Sequence, residues 1–258
     1  MDRETIETSP VQTFKKLNMP RAGKETKRRQ ALTADEVTRL VDAYHDPELR
    51  LWVVTMVASG LRPGEASALT WASINFARGV IHVTHSVKET NVRGQGKLGP
   101  TKTASSVRDV PLGPTLAASL ERAYLDRQAT YQSLGLVVEP DDCIWPADLI
   151  DARKAPKSLA AMQWRFRGVR DSAGLPQASP HYLRHTALTA AIAGTATEPG
   201  ISPADAARIA GHKNAMQIVR TYGHAVNANL VRGIGLADAM IGPAPVAPDN
   251  VRRLPVRK

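Results

Sequence analysis

In the stretch GHKNAMQIVRTYGH, residues 211–224, a Gly-His stands at one end and a Tyr-Gly-His at the other. Tyr222, framed by His212 and His224, is open to three readings: a packed aromatic at a helix end, part of a metal site, or a nucleophile. A phenol ionises near pH ~10, so attack at neutral pH requires a base or a cationic neighbourhood. In HYLRH, residues 181–185, His181 and Arg184 fall at i, i+3 and His181 and His185 at i, i+4 of a helix. The second spacing is that of helical zinc sites, but the middle of the motif offers Tyr182 and Leu183 and no carboxylate base, so no metal is expected. Alone, His181 and Arg184 read as a structural pair. Arg62, in GLRPGEASALTW (60–71), is either a surface residue or a guanidinium aimed into a cleft. Lys102, in TKTASSVRDVPL (101–112), alone reads as a solvated lysine at a turn. Together the set offers more. Two arginines can clamp a phosphate, a histidine pair and a lysine can move protons, and a tyrosine can attack phosphorus. No Walker loop, acidic metal cluster or Gly-rich dinucleotide turn competes with it, and no cofactor is implied.

These residues need elements to hold them. TADE, residues 33–36, is a capping box, and Val37, Leu40, Val41 and Tyr44 follow at helical spacing. PELRLWVVTMVASG (47–60) is apolar nearly all round, which predicts a buried helix ended by Gly60. Pro63 suits the first turn of the next helix. VIHVTHSV (80–87) alternates as a strand does, NVRGQGKLGPTKTASS (91–106) reads as a loop or hairpin, and VRDVPL (107–112) as a second short strand. Helices are expected over 115–128, 158–174, 179–194, 202–211 and 214–222, with Ser179 as an N-cap and Pro180 as a first helical residue. The pattern is a mostly helical domain with one small sheet inserted after the first few helices.

Composition bounds the possibilities. A chain of 258 residues with 43% hydrophobic content suffices for one large domain with arms. The single cysteine, Cys143, cannot form an intrachain disulfide and suggests a reducing compartment. No apolar run approaches the ~18 residues of a membrane span, and the polar start MDRETIETSP shows no secretory signal, so a cytoplasmic location is expected. The net charge of +10 is concentrated at the ends: residues 1–30 hold eight Lys/Arg against four Asp/Glu, and residues 241–258 four against one. Such arms are either solvated tails or contacts for a phosphate backbone.

In order along the chain, GLRPGE, TKTASSVRDVPL, HYLRHT, GH and a tyrosine ten residues after His212 resemble the catalytic domain of the tyrosine recombinase (phage integrase) family. Each motif is weak alone, but five in order with family-like spacing are specific. The resemblance spans about Leu32 to His224. The resemblance implies an α+β catalytic fold, mostly α with a small antiparallel β-sheet, in residues 31–241, between a basic arm (1–30) and a Pro-rich basic tail (242–258). It implies site-specific recombination of double-stranded DNA, with no cofactor, metal, membrane or small-molecule substrate. Tyr222 would be the nucleophile and form a 3′-phosphotyrosyl bond. Arg62, Arg184 and His212 would hold the non-bridging oxygens, Lys102 would protonate the leaving 5′-oxygen, and His181 would accept the tyrosine proton. Glu65 would orient His181 or Arg62, while His185 and His224 are taken as structural. A homotetramer on DNA is implied, with Leu236, Met240 and Ile241 docking on a neighbouring protomer or, alternatively, packing on their own domain. A type IB topoisomerase shares this chemistry, and a DNA-binding regulator without cleavage shares the charge. Two departures stand out. The connection 193–206 is long, and, with only about thirty linker-like residues before ALTADEV, the family's helical DNA-clamping domain is expected to be absent or truncated.

Overall fold

A computed structural model describes residues 31–101, 106–194 and 200–212, together with Ala215, Met216 and Ile218. The expected capping box opens α1 (Ala34–Asp42): Glu36 N donates to Thr33 Oγ1 at 3.2 Å, and Thr33 N donates to Glu36 Oε2 at 2.9 Å. Helix α2 (Pro47–Ser59) is capped by Asp46, which accepts from Glu48 N and Leu49 N, and it ends at Gly60 with φ 63°. Apart from Arg50, every residue of α2 from Leu49 onward is buried, as its all-round apolar sequence predicts. A short α3 (Pro63–Ala66) follows with Pro63 at its first position.

Four later helices complete the α layer: α4 (Pro114–Ser133), α5 (Leu159–Ser172), α6 (Pro180–Ala193) and α7 (Pro203–Ala210). Ser158, Ser179 and Ser202 cap the last three, each accepting from a backbone N–H in the first turn. Helix α4 runs past its expected end at residue 128, because buried Tyr131 extends its packed face. Helices α1, α4, α5 and α6 all pack on α2, which is the axis of the core. Two indole tips inside this core are paired: Trp52 Nε1 donates to Ser67 Oγ at 2.9 Å, and Trp145 Nε1 to Glu48 O at 2.9 Å.

The strands are β1 (Ile74–Asn75), β2 (Val80–Val83), β3 (His85–Glu89), β4 (Gly96–Pro100) and β5 (Arg108–Pro111). All pairings are antiparallel, in the order β1-β2-β5 for one sheet, with β3-β4 as a separate hairpin. This divides the single strand expected over 80–87. Alternation continues through it, but at Thr84 the chain leaves one sheet for the other. The expected single sheet is thus two. Ile81 lies opposite Ile74 and Val110, and all three are buried. Among the described residues no helix is long and apolar enough to cross a membrane. The arms 1–30 and 242–258, Lys102, Tyr222, His224, and Leu236, Met240 and Ile241, for which docking was one expectation, lie outside the described residues.

Candidate active site

The segment Arg62-Pro63-Gly64-Glu65 is one tight turn, and each residue has a physical reason. Pro63 has the φ that a first helical turn requires. Gly64 lies against β3, where a Cβ would come within 2.7 Å of Ser86 Oγ. Glu65 reaches back to Arg62, accepting from Arg62 N at 3.0 Å and from Arg62 Nη1 at 2.6 Å. The turn therefore delivers Arg62 and Glu65 as one unit.

Helix α6 supplies Arg184 from its buried face. Arg184 Nη1 donates to Gly60 O at 2.7 Å and Nη2 to Ala210 O at 2.7 Å. Both acceptors lie at the C-terminal ends of helices, α2 and α7, where backbone carbonyls lack intrahelical partners. The end of α7 receives two more arginines: Arg62 Nη2 donates to Gly211 O at 3.0 Å, and Arg108 Nε to Ile209 O at 2.6 Å. Three consecutive carbonyls, 209 to 211, thus each accept from a different guanidinium, and the negative end of the helix dipole favours that charge. Gly211 is required here twice over. Its φ is +61°, and a Cβ would meet Arg108 Nη1 at 2.9 Å and Arg62 Nη1 at 3.3 Å. That accounts for the glycine of the GH motif.

His212 follows this clamp. Arg184 Nη2 lies 3.3 Å from His212 Nε2. A guanidinium only donates, so Nε2 accepts and the ring proton sits on Nδ1. That Nδ1 is buried without a hydrogen-bond partner among the described residues. Burial, then the charges of Arg184, Arg62 and Arg108, push the His212 pKa down to about 4, against a smaller upward pull from Glu65. At neutral pH the ring is neutral, and the proton it can donate is the one on Nδ1. For Glu65, burial raises the pKa. Arg108 and then Arg62 outweigh that burial through charge and hydrogen bonds, holding the carboxyl below its ordinary value.

The structure therefore brings Arg62, Glu65, Arg184 and His212 together from three distant segments. Of the two partners expected for Glu65, the one it bonds is Arg62. His181 is the exposed residue of the otherwise buried first turn of α6, three residues before Arg184. His185 packs beside the Tyr182 ring, with centroids 6.1 Å apart. Ser106 is the first described residue after the segment that holds Lys102.

Sequence reasoning missed Arg108. It donates to both Glu65 oxygens, through Nη1 to Oε1 at 3.3 Å and Nη2 to Oε2 at 2.9 Å, and its side chain is 7% exposed. A signal existed. In a strand, residues two apart share a face, so Arg108 lies on the same side as fully buried Val110. A charge on the apolar face of a strand marks a buried partner.

A model of the phage integrase family matches residues 30–228. The prophage integrase IntR of Escherichia coli is 26% identical over 235 residues, covering 84% of this chain and 52% of that protein. A XerC-like tyrosine recombinase of Caldanaerobacter subterraneus is 23% identical over 207 residues, covering 76% of this chain and 51% of that protein. The chain thus spans about half the length of these curated relatives. Among solved structures, the Tn1549 transposon integrase in complex with transposon right end DNA aligns with a TM-score of 0.58 at 21% identity, over 78% of this chain and 64% of that one. XerA recombinase aligns with a TM-score of 0.53 at 18% identity, over 79% and 61%. These last two likenesses are of fold.

Proposed function

The chain belongs to the phage integrase family, and from that premise we propose that it is a tyrosine site-specific recombinase that breaks and rejoins double-stranded DNA. The observation that carries this reading is the convergence of Arg62, Arg184 and neutral His212 around the end of α7. An anionic, five-coordinate phosphorus is what such a cluster of fixed donors stabilises. Tyr222 Oη attacks the scissile phosphorus, its proton passing to His181. The bond to the 5′-oxygen breaks, and Lys102 supplies the proton that oxygen needs. The products are a 3′-phosphotyrosyl bond and a free 5′-hydroxyl. Attack by the 5′-hydroxyl of another strand reverses the step, so the phosphoester energy is conserved and no cofactor is consumed. In this reading residues 31–241 form the catalytic unit, the basic segments 1–30 and 242–258 lie along DNA, and the complete reaction uses a homotetramer on DNA in the cytoplasm.

The test is covalent capture. Incubated with a nicked suicide DNA substrate, the chain should form a denaturant-stable protein–DNA adduct. Tyr222→Phe removes one hydroxyl and should abolish the adduct while leaving DNA binding in place. Adduct formation by the Phe variant would refute the assignment of the nucleophile, and DNA binding without any adduct from the unmodified chain would favour a regulator.

A further inference from the structure

Arg108 takes no part in the chemistry above, yet it is the most heavily engaged charged side chain near it. It touches four separate pieces of the site. Besides both oxygens of Glu65 and the carbonyl of Ile209, it donates through Nη1 to Ser106 O at 2.9 Å. Its Nη1 also lies where a Cβ on Gly211 would be. Four of its five N–H donors already go to protein atoms, so it has little left to offer an external phosphate. A guanidinium is also the one side chain whose planar fork can serve a carboxylate and two carbonyls at once; an ammonium is a point charge on a flexible stem.

We propose that Arg108 is a positioning residue for the recombinase site, holding the Glu65–Arg62 unit in register with the end of α7 that carries His212. The link runs through named contacts. Arg108 fixes both carboxylate oxygens, the carboxylate fixes the Arg62 guanidinium, and Arg62 and Arg108 together fix carbonyls 209 and 211 on either side of the one held by Arg184. Through Ser106 the same side chain also anchors the chain four residues after Lys102. Without the fork, Glu65 keeps only Arg62, and the end of α7 loses one of its three anchors. Arg62 and His212 would then hold their geometry less closely, although neither is altered. A misplacement of ~1 Å in such a site is enough to cost about a hundredfold in rate.

The inference rests on the recombinase reading for its consequence in catalysis, so its test has one arm that needs no activity. Arg108→Lys keeps the charge and removes the fork. In the free chain, the imidazole of His212 is titrated by NMR. Because the charge is conserved, an upward movement of the midpoint from about 4 reports release of the ring from its buried, arginine-lined position; a rise of about one pH unit or more is expected. In the second arm, adduct formation at saturating nicked DNA should fall about tenfold to a hundredfold, with the DNA dissociation constant within about twofold of the unmodified chain. Arg108→Gln is measured alongside by the rate arm, with thermal melts of both variants. An unmoved His212 midpoint with an unmoved rate in folded Arg108→Lys overturns the proposal. So does a weakened dissociation constant with the saturated rate intact, which would make Arg108 a DNA contact, and so does failure of both variants to fold, which would make it a core residue. If the unmodified chain forms no adduct, the recombinase reading fails, and the titration alone then decides whether Arg108 positions His212.

Discussion

Two arginine–carboxylate networks lie on opposite terms within the same domain. At the end of α7, three guanidiniums gather near one buried carboxylate, Glu65, which pairs with two of them, Arg62 and Arg108, and the nearby histidine is neutral. Between α2 and α5, Arg165 and Lys157 meet Asp46 and Glu48: Arg165 Nη1 donates to Glu48 Oε2 at 3.0 Å, Arg165 Nη2 pairs with Asp46, and Lys157 Nζ donates to Glu48 Oε1 at 2.9 Å. The second network is balanced in charge and partly exposed, which suits a staple between two helices. The first carries an excess of positive charge and is largely covered. A protein gains no stability from an excess of like charge, so its presence at one place points to an anion that arrives from outside.

The sharpest way to break that contrast is to swap the guanidinium for an ammonium in each network. Arg184→Lys should lower the rate of adduct formation on the order of 10²–10³-fold, the loss typical of removing one fixed donor to a developing oxyanion. Arg165→Lys should leave the rate unchanged. Equal losses from the two would mean that excess charge does not mark the site.

Stability offers the next comparison. Glu65→Ala leaves Arg108 buried and uncompensated, a change that typically costs about 3–5 kcal/mol. Glu48→Ala opens a partly exposed pair and should cost about 1 kcal/mol or less. Urea unfolding of the two variants measures the difference, and a ratio near one would place Glu65 with the staples.

The acid response should also belong to one network. The folded pKa of His212 lies below its ordinary value of 6.5, at about 4. Above pH 6.5 the ring is neutral in both folded and unfolded chains, and it contributes nothing to pH dependence. Between 6.5 and 4 the unfolded chain binds a proton that the folded chain refuses, so stability falls as pH falls through this window. Glu65 adds a later loss. Its folded pKa is depressed, so its stabilisation is full above the ordinary carboxylate range and disappears as pH drops through the folded value. In His212→Gln the slope of unfolding free energy between pH 6.5 and 4 should flatten. An unchanged slope would assign the acid response to other groups.

The smallest effect is expected from the staple itself. A double-mutant cycle of Asp46→Asn and Arg165→Gln should give a coupling below about 1 kcal/mol that shrinks as salt is added. A larger, salt-resistant coupling would remove the distinction between the networks.

The two regions also differ in how much of them could be read in advance. Arg62, Glu65, Arg184 and His212 were accessible because each sits in a short motif with its own local reason: a Pro at a first turn, a capped helix, a glycine that ends one. Helix α2 was legible because its apolar residues leave no polar face. Arg108 was harder to read, because its partners lie 43 and 101 residues away and the one local sign, its place on the same strand face as Val110, does not say what it meets. The break at Thr84 was hidden for a similar reason. Buried Ile81, Val83 and Val87 keep the same alternation across it, and only the choice of partner strand changes. Strand β1, at two residues, is too short to show any period.

The three carbonyls at the end of α7 have a consequence for timing. A free arginine side chain carries about 2 kcal/mol of rotamer entropy, which is lost when an anion immobilises it. Arg62 and Arg184 are already held by Gly211, Gly60 and Ala210, so that loss occurs as the chain folds, long before an anion arrives. Capture of a phosphate then requires little searching among rotamers, and the donors need not reorganise as charge shifts between its oxygens. The domain is accordingly less stable than its contacts suggest, and its site is ready before it is filled.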